Sequence, residues 1–315
     1  MDNLCHSLAG AAIAQTGFAK RFPHATLLCV VGANIPDVDA AAYLWGDSLT
    51  ALQFRRGWTH GVPALGFWTL LLTGLCWWWH RQRSRRSGVA GRTPLMAIFL
   101  ASCLSVFSHT SLDWLNNYGV RWLMPFSDRW YSGDTLFIVD PTLLLLFGAG
   151  WWFSRQRIAH GIALAERPAR LAVALSLLYI ASMMGLSEAT RSTAEHKLGL
   201  SNAGRRQLMV SPNPASVRNR LVLVRTDSMY DWYDARVVGS SIRLGDRVAQ
   251  VPIGATNQRS VAAARSVRGR AFLRWSRFPY FVPGVNGDST SVFIGDVRYT
   301  QGTTESWAAT TVILK

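Results

Sequence analysis

The stretch Phe107–Trp122, FSHTSLDWLNNYGVRW, carries His109 and Asp113 four residues apart. On a helix that spacing puts both side chains on one face within reach of a shared ion, and Asn117 would continue the row. An imidazole nitrogen beside a carboxylate oxygen is a common ligand pair for zinc and also suits manganese or iron. A hydrogen bond between His and Asp on a helix surface is the plainer alternative. NIPDVD offers Asp37 and Asp39 after an apolar run that Pro36 breaks; in a turn both converge on a cation, and a simple helix-ending turn is the rival. RRGWTHG sets His60 just ahead of a long apolar segment, either as a ligand or as an interfacial anchor like Trp58. Asp140, in DTLFIVDPT, lies inside an apolar run, where an ionised carboxylate is costly unless paired or metal-bound. His6, in LCHSLAG, is the weakest taken singly. His24, His80, His160 and His196 sit in or beside basic or polar connectors and read as solvated.

The elements that must position these residues are membrane helices. Among 315 residues, 49% are hydrophobic, only 16% are charged and 14 are Trp; soluble domains carry about 25% charged residues, and Trp gathers at bilayer interfaces. Apolar segments at Val62–Trp79, Pro94–Ser108, Leu136–Phe153 and Ala169–Ser187 are long enough, or nearly so, to cross a membrane. Ahead of them, Leu4–Phe18 and Ala25–Ile35 read as a helical hairpin that enters part way. No basic n-region precedes the first apolar piece, so insertion is expected to rest on internal segments. Cys5, Cys29, Cys76 and Cys103 form no CxxC pair and read as buried free thiols.

The formal net charge of +15 is placed mostly in loops, in HRQRSRRSGVAGR and SRQRIAHGIALAERPAR. That placement reads as topology, with these loops cytoplasmic, rather than as a nucleic-acid tract. By alternation, His6, Asp37, Asp39, His60, His109, Asp113 and Asp140 then share the non-cytoplasmic face, whereas unrelated polar residues would divide between both faces. Three His with several Asp exceed what one structural zinc requires, so an open or two-metal hydrolytic centre is expected. All seven are candidate ligands, with Asp37, Asp39 and Asp140 completing the set or acting as general base. Arg55, Arg56, Arg121 and Arg129 flank the motifs and suit phosphate or carboxylate groups, or anionic headgroups. A membrane lipid, and an anionic lipid or lipid-linked ester as substrate, are the expected partners; oligomeric state is not legible. The rival is a membrane scaffold whose metal only ties helix ends together.

Beyond about Glu188, LVLVRTDSMYDWYDARVV, SIRLGDRVAQVPI, RAFLRWSRFPYFVP and SVFIGDVRYT are short, β-branched and aromatic. The expected fold is therefore an α-helical polytopic membrane domain (1–187), a connector (188–206) and a small C-terminal β-rich extramembrane domain (207–315).

With MDNLCHSLAG, NIPDVD, RRGWTHG and SHTSLDWLNNYGVRWLMPFSDRWYSGDTLFIVDP in hand, residues 1–141 resemble a family of bacterial inner-membrane, metal-dependent hydrolases, some of whose members are labelled LexA-binding or LexA-regulated. The resemblance implies hydrolysis and metal binding at His6, Asp37, Asp39, His60, His109, Asp113 and Asp140. Many relatives carry a further His where this chain has Arg55, so no additional ligand is expected there. The His-x-x-x-Asp spacing is also locally similar to zinc-dependent phospholipase C proteins, which favours a phosphoester.

Overall fold

The computed structural model describes residues 1–44, 46–86, 94–200, 207–214, 216–284, 290–300, 304 and 306–314. Two compact units result: Met1–Asp39 with Arg56–Met184, and Ala40–Arg55 with Gly185–Lys315. The basic loop expected at 80–92 and the connector at 188–206 lie partly outside the described residues.

Helix α1 (Asn3–Gln15) begins where the Asp2 carboxylate accepts the amides of Leu4 and Cys5, which supplies partners to orphan donors of the first turn. Small residues then decide how the helices pack. A Cβ added at Gly10 would stand 2.4 Å from the carbonyl oxygen of Cys29 on α2 (Ala25–Gly32). One added at Gly32 would stand 2.2 Å from Ser105 Oγ on α5 (Leu95–Trp114). Backbones approach this closely only where no side chain intervenes. The consequence is local: α1, α2 and α5 bring His6, the Ala33 carbonyl and His109 to one place. Cys29, Ile98, Ala101 and Val106 fill the core between these helices, and Cys5, Ala12, Leu112 and Leu143 fill a second.

After α2 the chain bends by 51° into a 3-10 helix, Ile35–Leu44, whose first turn holds Asp37. Short helix α3 (Ser48–Phe54) follows, then α4 (Val62–Arg86), α5, α6 (Pro141–Ala159) and α7 (Arg167–Lys197). Among the described residues α4, α5 and α7 are long and apolar enough to cross a membrane, and the bent pair would make a fourth. Only 22% of the apolar window of α4 and 17% of that of α7 are buried within protein. Lipid is the medium that covers such surfaces without penalty. The segment expected from Leu136 starts later, at Pro141, because Asp140 caps the helix and Pro suits its first position. Arg155 and Arg157 fall in its last turns, and it is not among the three.

Helix α5 ends at Trp114, with Leu115 as its cap. Asn117 therefore does not extend the His109–Asp113 row, as the sequence suggested. Asn116 instead accepts the amides of Tyr118 and Gly119 in the turn that follows, at 2.8 and 3.3 Å.

In the second unit, β1 (Leu208–Asn213), β2 (Ser216–Arg225), β3 (Met229–Val238) and β4 (Ser241–Pro252) form an antiparallel meander in chain order. A second antiparallel sheet joins β5 (Pro279–Pro283), β6 (Ser291–Asp296) and β7 (Ala309–Ile313). Their apolar faces share a core that includes Leu223, Tyr230, Trp232, Phe278 and Phe293. The expected β-rich character holds, but RAFLRWSRF is not a strand. Helices Gln258–Arg265 and Val267–Leu273 precede β5, and Ser266 caps the second by accepting from Gly269 N. The cap wins over the aromatic composition.

Asp296 is a fully buried charge in this unit. It accepts from Ser276 Oγ at 2.6 Å, Arg277 N at 3.0 Å and both Nε and NH2 of Arg298 at 2.8 and 2.9 Å. Burial pushes its carboxyl up, yet the Arg298 guanidinium and these donors outweigh burial and hold it below the usual carboxylate range. A depressed folded value contributes stability above the unfolded pKa, lost as pH falls through the folded one. Asp296→Asn is therefore expected to lower stability at neutral pH by about 1–3 kcal/mol and to flatten the loss of stability on acidification. Unfolding followed at neutral and acid pH checks both.

Candidate metal centre

Four donors from separate elements meet in the first unit. Asp37 comes from the 3-10 helix, His60 from the turn before α4, and His109 and Asp113 from successive turns at the end of α5. Their donor atoms all lie within 4.8 Å of one another. His60 Nε2 and His109 Nε2 are 3.1 Å apart. Asp113 Oδ2 stands 3.5 and 3.6 Å from these two nitrogens, and Asp37 Oδ1 stands 3.7 and 3.8 Å from them. Donors about 2.0–2.2 Å from one tetrahedral ion are separated by roughly 3.3–3.6 Å. The match makes this a group of the size a divalent ion requires.

The surroundings decide which ring nitrogens carry protons. His109 Nδ1 lies 2.7 Å from the Ala33 carbonyl, which only accepts, so this nitrogen donates. His60 Nδ1 lies 3.3 Å from Asp39 Oδ2 and 2.9 Å from Thr59 Oγ. A proton on each Nδ1 leaves two Nε2 lone pairs facing each other beside two carboxylates. Acceptors converging in this way repel unless a cation stands between them. Asp113 Oδ2 is moreover buried with no hydrogen-bond partner among the described residues, an arrangement that is costly for a carboxylate unless a cation compensates it. The residues present thus fit a bound metal.

The other expected ligands take supporting places. Asp39 Oδ2 accepts from Arg56 N and Thr59 Oγ, each at 2.7 Å, as well as facing His60 Nδ1. It fixes the ring and its tautomer, the task a carboxylate behind a metal-binding His performs. Asp39→Asn should weaken metal binding about 10–100-fold, as measured by competition with a chelator. His6 stacks on His109 with ring centroids 4.0 Å apart and puts Nε2 3.3 Å from Asp113 Oδ1. Met1 N and Arg56 NH2 contact that same oxygen, the latter at 3.2 Å. Asp113 therefore turns one oxygen toward the four-donor group and the other toward cationic partners. Asp140 is not in the group: its Oδ1 caps α6 through Leu143 N at 3.0 Å and its Oδ2 accepts from Tyr179 OH at 2.8 Å.

The four arginines divide as well. Arg56 is buried, lies 4.5 Å over the Tyr118 ring and points NH1 toward Gly119 O at 3.4 Å. Arg121 is buried over Trp130 and donates its amide to Arg56 O at 2.8 Å. Arg129 is exposed beside Tyr131, and Arg55, in the second unit, lies over Tyr43. Sequence reasoning missed Thr59, Asn116, Tyr118 and the Ala33 carbonyl. The Thr next to His60 was a legible signal. A backbone carbonyl leaves none.

Spanning helices around a buried group of two imidazoles and two carboxylates define a membrane protein with a candidate metal site. The chain belongs to the YdjM inner membrane protein family, whose sequence model matches residues 1–189 and so includes every candidate ligand. It is also 24% identical over 153 residues to YfhP of Bacillus subtilis (strain 168), described as an uncharacterized protein; the match covers 46% of this chain and 43% of that one. The chain thus spans less than half the length of that relative. No solved structure matches it.

Proposed function

We propose that this protein is a membrane-bound, metal-dependent hydrolase of a lipid or lipid-linked ester, most consistently a phosphoester, with zinc as the ion. The observation that carries the reading is the four-donor group at the ends of apolar helices, with Asp113 Oδ2 buried and lacking a hydrogen bond among the described residues. His60, His109, Asp37 and Asp113 would hold the ion. When bound it lowers the pKa of a water and neutralises charge that develops during attack on an ester. Asp37, with a side chain 10% exposed against 0% for the other three, marks the side from which water and substrate enter. Its carboxylate is also the group best placed to receive a proton at the open side. Asp39 and the Ala33 carbonyl keep both imidazoles in the ligating tautomer, so no reorganisation is needed at the moment of reaction.

The positive-inside tendency supports a non-cytoplasmic site, because Arg81, Arg83, Arg85 and Arg86 lie at the end of α4 remote from His60. The proposed location is a bacterial inner membrane, multi-pass, with the β-rich unit also non-cytoplasmic, a placement that requires α6 to cross the membrane together with α4, α5 and α7. Burial of His60, His109 and Asp113 equally suits a structural metal that ties helix ends together. Metal analysis of the purified protein, coupled to a screen of lipid extracts for products formed only in the metal-loaded form, separates the two. Metal-dependent product supports the hydrolase; a fully coordinated metal without product leaves the scaffold.

A further inference from the structure

A groove of about 310 Å³ opens between α4 and α5, lined by Leu65, Gly66 and Leu70 on one helix and Phe99, Cys103 and Phe107 on the other. Helix α5 carries His109, and α4 follows directly on the turn that carries His60. At its upper end, Phe107 is two residues from His109 and Leu65 five from His60. From Phe107 down to Phe99 the groove follows eight residues of α5, about 12 Å at 1.5 Å per residue. One leaflet's hydrocarbon is about 15 Å deep. Groove and acyl layer therefore match in both depth and polarity, provided the site lies at the interface.

Glycine opens this groove. A Cβ added to Gly66 would meet nothing within 4 Å, so the missing side chain is not required by helix packing, as it is at Gly10 and Gly32. A glycine inside a helix costs about 1 kcal/mol relative to alanine, and here no contact among the described residues repays it.

We propose that the α4–α5 groove seats one acyl chain of a phospholipid, holding its ester and headgroup at the level of the metal centre. This rests on the reading of the centre as a lipid-ester hydrolase and extends it by naming the apolar half of the substrate and the surface that takes it. The single chain runs along α5, and the polar end emerges beside the His60 turn.

The test uses full-length protein in bilayers of phosphatidylethanolamine and phosphatidylglycerol containing increasing fractions of a phosphatidylglycerol with a photoactivatable acyl chain. Crosslinks are mapped by peptide mass spectrometry for wild type, Gly66→Leu and a control, Leu177→Ala on the lipid-exposed face of α7. Expected is labelling of Leu65–Leu70 and Phe99–Phe107 that saturates with probe fraction. Gly66→Leu should reduce it roughly tenfold, since each methylene left unburied weakens binding about fourfold. Labelling of α7 should rise linearly in all three proteins. Linear groove labelling that Gly66→Leu does not change would overturn the proposal. Metal content and metal-dependent formation of diacylglycerol with glycerol phosphate, or of phosphatidic acid with glycerol, from the same lipid, read in the same samples, keep the two ideas apart. Saturable groove labelling without hydrolysis retains the acyl site and sinks the hydrolase. Hydrolysis with linear groove labelling does the reverse.

Discussion

Asp113→Ala is expected to reduce metal affinity by more than roughly 100-fold, because it removes a ligand rather than a group behind one, whose loss alone costs about 10–100-fold. His109→Ala should do the same, since its Nε2 is common to every short separation in the cluster except those of His60 with the two carboxylates. Asp140→Asn is the informative companion. The sequence makes Asp140 a candidate ligand or general base, whereas its oxygens meet Leu143 N and Tyr179 OH. Metal bound at stoichiometric level in Asp140→Asn, and lost in the other two, is the pattern the geometry predicts. Full retention of metal in both Asp113→Ala and His109→Ala would remove the site assignment.

The second large effect concerns Arg56. The sequence offered it as a group for a substrate phosphate or carboxylate, or as an anchor to anionic headgroups. Here its guanidinium pairs with Asp113, stacks on Tyr118 and reaches Asn116 Oδ1 at 3.5 Å and Gly119 O at 3.4 Å. Replacing one partner of a buried pair leaves the other uncompensated and costs about 3–5 kcal/mol. Arg56→Met should therefore lower the unfolding midpoint of the detergent-solubilised protein markedly, with or without lipid. A bound metal would relieve part of the loss by neutralising Asp113, so the shift should be larger in chelator. A substrate-binding arginine would behave otherwise: stability would hold while lipid turnover fell through KM.

Much of the architecture was legible because it follows from one-dimensional rules. Apolar length and low charge mark α4, α5 and α7, and alternation with Gly, Pro and Asn between runs marks the β-rich tail. Where local chemistry competes with composition, boundaries moved. Ser266 capping turned part of RAFLRWSRF into helix, and Asp140 with Pro141 delayed the start of α6. The i, i+4 pair of His109 and Asp113 was readable because helical period alone places it on one face.

Membership of a site is a different kind of fact. Residue type and spacing nominated seven His and Asp positions but could not rank them, since ligand, orienting carboxylate and helix cap are chemically the same side chain. The close approach of α1, α2 and α5 through Gly10 and Gly32 separates these roles. It sets Asp37, His60, His109 and Asp113 on one volume, puts Asp39 behind His60, stacks His6 on His109 and leaves Asp140 at the head of α6. The sequence by itself determined that this chain has helices fit for a membrane and an excess of ligating residues at their ends. Tertiary structure alone decided which of them lie close enough together to share a cation, because coordination depends on distances of a few ångströms between residues up to 76 positions apart, and no periodicity along a chain encodes those.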